Sequence, residues 1–223
     1  LFGHVDRLDE ESLINLKTKY NSIKFSQWFL DPLITDGPDF LKNKNRFFNK
    51  YQFCDTNFIT TAPSALNFVD TKKTFFIPNP IDKSIDIYRN FDAKKIIDVF
   101  IAISHGQHRA NLKKSFIDER VKIISKLTPM ASYNIFGYKR NPIWGQNFFK
   151  EMNKCSMGVN ISRGKPIKYY SSDRLASLLG NGLLTFIHND YFYQDFFKKN
   201  EIVTYNNINE LNKKIIYFKK NNK

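Results

Sequence analysis

Met157–Asn189, MGVNISRGKPIKYYSSDRLASLLGNGLLTFIHN, decides the fold. Its first residues form a short apolar run closed by Asn160, and a loop with Arg163, Gly164 and Lys165 follows. Ser171-Ser172-Asp173 is a strong helix start, because short polar side chains satisfy the first free N–H groups of a helix. Leu175–Leu179 supplies a short apolar helix, Gly180-Asn181-Gly182 stops it, and Leu183–Ile187 is a second apolar run. Strand, loop, helix, turn and strand make a βαβ unit, which demands a parallel pair. The basic loop and a helix N-terminus then lie at one end of that pair, where unpaired N–H groups and the helix dipole favour an anion. The alternative is a plain structural crossover in which the serines are only a cap, and for that stretch alone the cap is favoured.

The same alternation extends outward from this unit. Toward the N-terminus, Asp9-Glu10-Glu11 starts a helix with Leu13, Leu16 and Tyr20 on one face. Ile23–Leu30 is a strand stopped by Asp31-Pro32, and Phe40, Phe47 and Tyr51 stripe the next helix. Asn57–Thr61 and Thr74–Ile77 are strands, with Ser64 capping a short helix between them. Residues 83–95 lose the pattern and read as a linker. A second series follows: strand Ile96–Ile103, interrupted by Asp98; a helix over 118–127; strand Tyr133–Phe136; a helix near Ile143–Lys154. The opening unit, a strand over Glu201–Tyr205 and a helix on Ile208, Leu211 and Ile215 complete it. The pattern predicts an α/β protein with two Rossmann-like parallel-sheet domains. The first, over 1–92 with the linker, is incomplete at its N-terminus, since Leu1-Phe2-Gly3 reads as the tail of a strand; the second covers 93–223.

Composition agrees with a folded globule. Of 223 residues, 42% are hydrophobic, with 22 Phe and 11 Tyr, enough to fill a core. The formal net charge is +14, but the excess is largely Lys amid abundant Asn, Ile and Phe, the signature of an AT-rich coding bias. Lys is spread between acidic and apolar residues with no recognition motif, which disfavours a nucleic-acid-binding protein. The charge still permits attraction to anionic substrates or to the inner face of a membrane. Cys54 and Cys155 are too far apart in sequence to suggest a disulfide framework or a metal cluster, and they point to a reducing, cytoplasmic setting. No run approaches the ~18–20 apolar residues that span a bilayer.

In open α/β sheets ligands bind at the carboxyl ends of the strands. That rule selects Ser104-His105-Gly106 with Arg109, Gly137-Tyr138, and Arg163 through Arg174. Small residues there allow close backbone approach, and cations with hydroxyls suit a diphosphate. His105 and His108 lack a third residue at metal-ligand spacing, so hydrogen-bonded histidines are the better reading. His4 and Asp6, on a strand-end loop of the first series, could act as a general base, with a structural histidine equally in keeping.

Phe76-Ile77-Pro78-Asn79-Pro80-Ile81-Asp82 resembles the IPNGVD turn of group-1 glycosyltransferases, which have the two-domain GT-B fold. Tyr170-Ser171-Ser172-Asp173-Arg174 through Gly182-Leu183-Leu184 looks like the Arg-containing helix and Gly turn of the spore-maturation (CgeB-like) subgroup. The resemblance covers most of residues 1–220. It implies a donor cleft between the halves, with Ser104, His105, Gly106 and Arg109 on the diphosphate and Gly137-Tyr138 near the base. Arg163, Lys165, Ser171, Ser172, Asp173 and Arg174 would line the donor sugar and phosphates. The co-substrate would be a nucleotide-sugar, with no cofactor or metal, and the acceptor a glycan, a lipid-linked group or a protein. Many family members carry two glutamates seven residues apart; the matching positions here are Tyr169 and Ser177, so the stereochemical outcome stays open. A catalytically inactive sugar-nucleotide-binding module is the alternative that this departure keeps in view.

Overall fold

The computed structural model describes residues 9–37, 39–92, 94–104 and 119–221. The chain divides into two compact units. One comprises the described part of Leu1–Asn79 together with Ile167–Ser172, and the other Pro80–Pro166 with Asp173–Lys223. This division groups residues 80–92 with the second unit. It also makes the chain pass between units three times, at 79/80, 166/167 and 172/173.

The first unit holds α1 (Glu10–Lys19), β1 (Ser26–Phe29), α2 (Phe40–Tyr51), β2 (Thr56–Ile59) and β3 (Thr74–Phe76). Its three strands are parallel in the order β1-β2-β3. The Asp9 carboxylate caps α1 by accepting from the Ser12 N–H at 2.7 Å. Tyr20, expected on the apolar face, lies just past the helix and is exposed. Alternation places Gln27, Phe29, Asn57 and Ile59 on the buried face. Phe29, Phe47, Tyr51 and Ile59 form the core there. Gln27 and Asn57 are cross-strand partners, and the Gln27 amide donates to Asn57 Oδ1 at 2.6 Å and to the Phe47 carbonyl at 3.3 Å. Two polar side chains thus sit inside an apolar layer because each meets the other's needs.

The Ile167–Ser172 excursion is fastened to the carboxyl ends of this small sheet. Ser171 N–H donates to the Thr60 carbonyl at 2.8 Å, and the Ser171 hydroxyl accepts from Asn79 N–H at 2.9 Å. Ala62 N–H donates to the Lys168 carbonyl at 3.0 Å. Tyr169 takes the left-handed conformation at φ 62°, and its ring stands 5.3 Å from that of Phe76.

The second unit is a five-stranded parallel sheet in the order β5-β4-β6-β7-β8. The strands are β4 (Ile97–Ala102), β5 (Tyr133–Phe136), β6 (Cys155–Val159), β7 (Leu184–His188) and β8 (Val203–Tyr205). Helices α3 (Glu119–Ile124), α4 (Gly145–Met152), α5 (Asp173–Gly180) and α6 (Ile208–Asn221) flank it. β4 reads as a continuous apolar run because both its faces are covered. Val99 and Ile101 face a core shared with Ile124 of α3 and with Leu211 and Ile215 of α6. Phe100 and Ala102 face Met152 of α4 and Leu178 of α5. The interruption at Asp98 is also explained: its carboxylate accepts from Ser132 N–H at 2.7 Å and pairs with Lys219 at 2.9 Å. Burial alone would raise the Asp98 pKa, but the Ser132 and Lys219 contacts outweigh it and hold the group low.

The stretch read as a linker is pinned to the turn after α5. Asn181, fully buried, donates its amide to Asp86 Oδ1 at 2.8 Å and accepts on Oδ1 from Tyr88 N–H at 3.0 Å. Its carbonyl accepts from both the backbone and the side-chain N–H of Asn90, each at 2.9 Å. The flanking glycines allow this approach. A Cβ on Gly180 would lie 2.6 Å from Ile81, and one on Gly182, at φ +73°, would lie 2.5 Å from Phe91. Gly-Asn-Gly is therefore a docking turn as well as a helix stop.

Two outcomes follow for stability. Asn181→Ala strips partners from Asp86 and Tyr88 and is expected to cost about 2–4 kcal/mol in urea unfolding. Glu210, at the start of α6, has its pKa lowered to about 2 by hydrogen bonds from Lys214 and from the Asn206 backbone. A depressed carboxylate stabilises the fold above its unfolded pKa and loses that contribution as pH falls through its folded pKa. The stability gap between wild type and Glu210→Gln should therefore close between about pH 4.5 and about 2. A gap that is constant with pH would show the pairing to be inconsequential.

Candidate functional site

In the second unit β4 is flanked by β5 on one side and β6 on the other. The chain runs from β4 outward to β5 and then returns past β4 to β6. The sheet's direction of growth thus reverses between β4 and β6, and in such sheets ligands bind at the carboxyl ends there. The crevice position is therefore set by topology before any side chain is considered.

Three guanidinium groups converge on the end of β4. Arg120, only 3% exposed, donates through Nη2 to the Ser104 carbonyl at 3.0 Å. Arg163 donates through Nη2 to the Ser104 hydroxyl at 3.1 Å. Arg174, in the first turn of α5, donates through Nη1 to the Ala102 carbonyl at 3.0 Å and through Nη2 to the Ile161 carbonyl at 2.7 Å. Its Nε donates to Asn160 Oδ1 at 3.0 Å, and Nη2 also reaches the Ser162 hydroxyl at 3.3 Å. Arg174 thus ties the end of β4 to the end of β6.

Asn160 shares the sheet face of Gly158, which packs against Leu178 of α5. With Oδ1 held by Arg174, its Nδ2 is buried and has no hydrogen-bond partner among the described residues. A buried donor in that state carries a desolvation penalty of about 1–3 kcal/mol. Nearby, burial pushes the Tyr205 phenol up, Tyr191 adds to the rise and Arg174 opposes it, so this phenol stays protonated.

Gly137 closes β5 at φ +82°, where a Cβ would stand 1.7 Å from the Ile103 carbonyl oxygen. Its small size serves the approach of β5's end to β4's end, independent of any ligand. Tyr138 is half-buried against the core, with Lys139 Nζ 5.4 Å from its ring centre. Lys165 is exposed in the same basic loop as Arg163.

The residues expected at the site therefore separate. Ser104, Arg163 and Arg174 come together at the reversal point, and Lys165 belongs to the adjoining loop. Ser171 is buried in the first unit with its hydroxyl on Asn79 N–H. Ser172 also falls in that unit, while Asp173 opens α5 in the second. His105, Gly106 and Arg109 lie outside the described residues, as do His4 and Asp6. Two site residues were not anticipated. Arg120 and Ile124 are four apart and both buried, so the helical period carried a signal that Arg120 points inward. Asn160, a polar residue directly after an apolar run, marked the strand end at the reversal point.

The second unit is thus a Rossmann-like parallel-sheet α/β domain with arginines gathered at the carboxyl end of β4. A family model described as glycosyl transferase-like matches residues 111–223, and the chain belongs to that family. No curated protein matches the chain.

Arg174→Ala leaves four acceptors at and just beyond the ends of β4 and β6 without this donor. It should cost about 2–4 kcal/mol in urea unfolding. Arg174→Lys should recover only part of this, because an ammonium cannot reproduce the planar fork.

Proposed function

We propose that the second unit binds a nucleotide-sugar donor and that the protein transfers the sugar to an acceptor hydroxyl, within a GT-B arrangement. The observation that carries this reading is the convergence of Arg163, Ser104 and the unmet Asn160 amide at the switch point between β4 and β6. The family membership adds to it. Arg163 is the best-placed cation for the diphosphate, with Lys165 beside it. Arg120 and Arg174 act behind them, holding the strand ends in register. His105, Gly106 and Arg109, next after Ser104, would complete the anion cradle, and Gly137-Tyr138 would border the base.

Charge builds on the leaving nucleoside diphosphate as the glycosidic bond breaks. Fixed cations and N–H donors aimed there lower the barrier, because they need no reorganisation in the transition state. The first unit would supply the acceptor side, with His4 or Asp6 removing the hydroxyl proton. The acceptor is a glycan, a lipid-linked group or a protein, and the role lies in surface glycan or glycoconjugate synthesis. Ser177, where relatives place an acid, supports a second reading, a module that binds a sugar nucleotide without transferring it.

Titration with UDP, GDP, TDP and CMP should give native-state stabilisation by at least one nucleotide in thermal unfolding. Arg163→Ala should weaken that binding about ten- to a hundredfold, the loss expected of one charge-assisted hydrogen bond of about 1.5–3 kcal/mol. Sugar release from the matching nucleotide-sugar separates a transferase from a binding module. Absence of any nucleotide binding by the full-length protein would overturn the donor assignment.

A further inference from the structure

The strap pinned by Asn181 has two dissimilar faces. Asp86, Tyr88 and Asn90 turn inward, each hydrogen-bonded to Asn181 through side chain or backbone. The alternate residues turn outward. Ile85 is 54% exposed, Ile87 62% and Phe91 68%, with the Arg89 side chain between them at 70%. Ile81 and Ile96, at 53% and 82%, extend the row at either end. Lys83 and Lys94 are exposed within it. Singly exposed apolar residues are ordinary, but a consecutive row on a fastened segment is not.

The acidic groups of the strap are engaged locally. Asp86 accepts from Asn181, Asp82 from Ser84 N–H at 2.8 Å, and Asp92 pairs with Arg89 at 2.7 Å. The outward surface is therefore apolar side chains interleaved with Lys83, Lys94 and the Arg89–Asp92 pair, with Asp82 exposed at one end, on a chain of formal net charge +14. Seven residues from 85 to 91 reach at most roughly 25 Å and are one side chain wide. That is far below the ~800 Å² per partner that a stable protein–protein contact buries, so a second copy is a poor occupant. A narrow apolar ridge edged by Lys and Arg suits the boundary between headgroups and acyl chains of an anionic bilayer, which takes apolar side chains shallowly and attracts the cations. Among the described residues no helix is long and apolar enough to cross a membrane, so the contact would be peripheral.

We propose that Ile85, Ile87 and Phe91, flanked by Lys83, Arg89 and Lys94, form a membrane-docking ridge for an anionic lipid surface. The ridge belongs wholly to the second unit and does not rest on the donor assignment.

Full-length protein is sedimented with vesicles of phosphatidylcholine alone or with one-third phosphatidylglycerol, at low and at high salt. Wild type should bind the anionic vesicles at least tenfold more tightly than the neutral ones. Ile87→Ser with Phe91→Ser should weaken that binding at least tenfold, whereas Tyr217→Ser on α6, also an exposed aromatic, should leave it unchanged. Because Phe91 packs on Gly182, Ile85→Ser with Ile87→Ser serves as a second variant, and thermal unfolding verifies that each is folded. Phe91→Trp should shift its fluorescence to shorter wavelength on adding anionic vesicles. Three results would overturn the proposal: no vesicle binding by wild type, equal binding by both serine variants, or binding that salt abolishes and the serine variants retain. Self-association in sedimentation equilibrium that the serine variants lose would assign the ridge to a second copy instead.

Discussion

The carboxyl end of a central parallel strand presents carbonyls that its neighbours no longer engage, and the order of the second unit depends on how those groups are met. Arg174 meets them with one planar fork, reaching the Ala102 and Ile161 carbonyls and the Asn160 side chain together. Because Arg174 lies in the first turn of α5, the same contacts fix where that helix begins relative to β4 and β6. Arg120 and Arg163 then hold Ser104 from its carbonyl and its hydroxyl. Cationic charge thus collects at the reversal point of the sheet as a result of satisfying backbone.

The three arginines hold different parts of the strand ends. Arg174 is committed to the protein's own acceptors, and Arg120 is buried behind Ser104. Arg163 donates to the Ser104 hydroxyl and stands in a basic loop with Lys165. Removing Arg163 takes a donor from the Ser104 hydroxyl, whereas removing Arg174 takes donors from the ends of both β4 and β6.

Much of the architecture was legible in the sequence, since period-2 and period-3.6 apolar patterns separate cleanly here. The eight described strands fall where the apolar runs lie, within a few residues at their ends, and the β4 run announced a strand covered on both faces. The helix-stop reading of Gly180-Asn181-Gly182 was also sound, but incomplete. Its second use needs Asp86, Tyr88 and Asn90 brought alongside, and no local pattern encodes a contact 91 to 95 residues away in the chain. Ser171 shows the opposite failure. Its local context is that of a helix cap, yet tertiary structure gives its hydroxyl to Asn79. Arg120 was hidden because charged residues at helix starts are usually solvated, and only its spacing from Ile124 hinted otherwise.

The excursion of Ile167–Ser172 has a consequence for how the protein can be taken apart. There the chain leaves the second unit and returns to it within six residues, and the excursion is held on Thr60, Ala62 and Asn79 of the first. No single cut in the chain therefore yields two complete units. A piece beginning at Pro80 would carry Ile167 and Tyr169 without the core and the ring they pack on, and a piece ending at Asn79 would lack the donors and acceptors of Ser171. The connection between β6 and α5 is thus shared property, and insertions or deletions within it would be registered by both units at once.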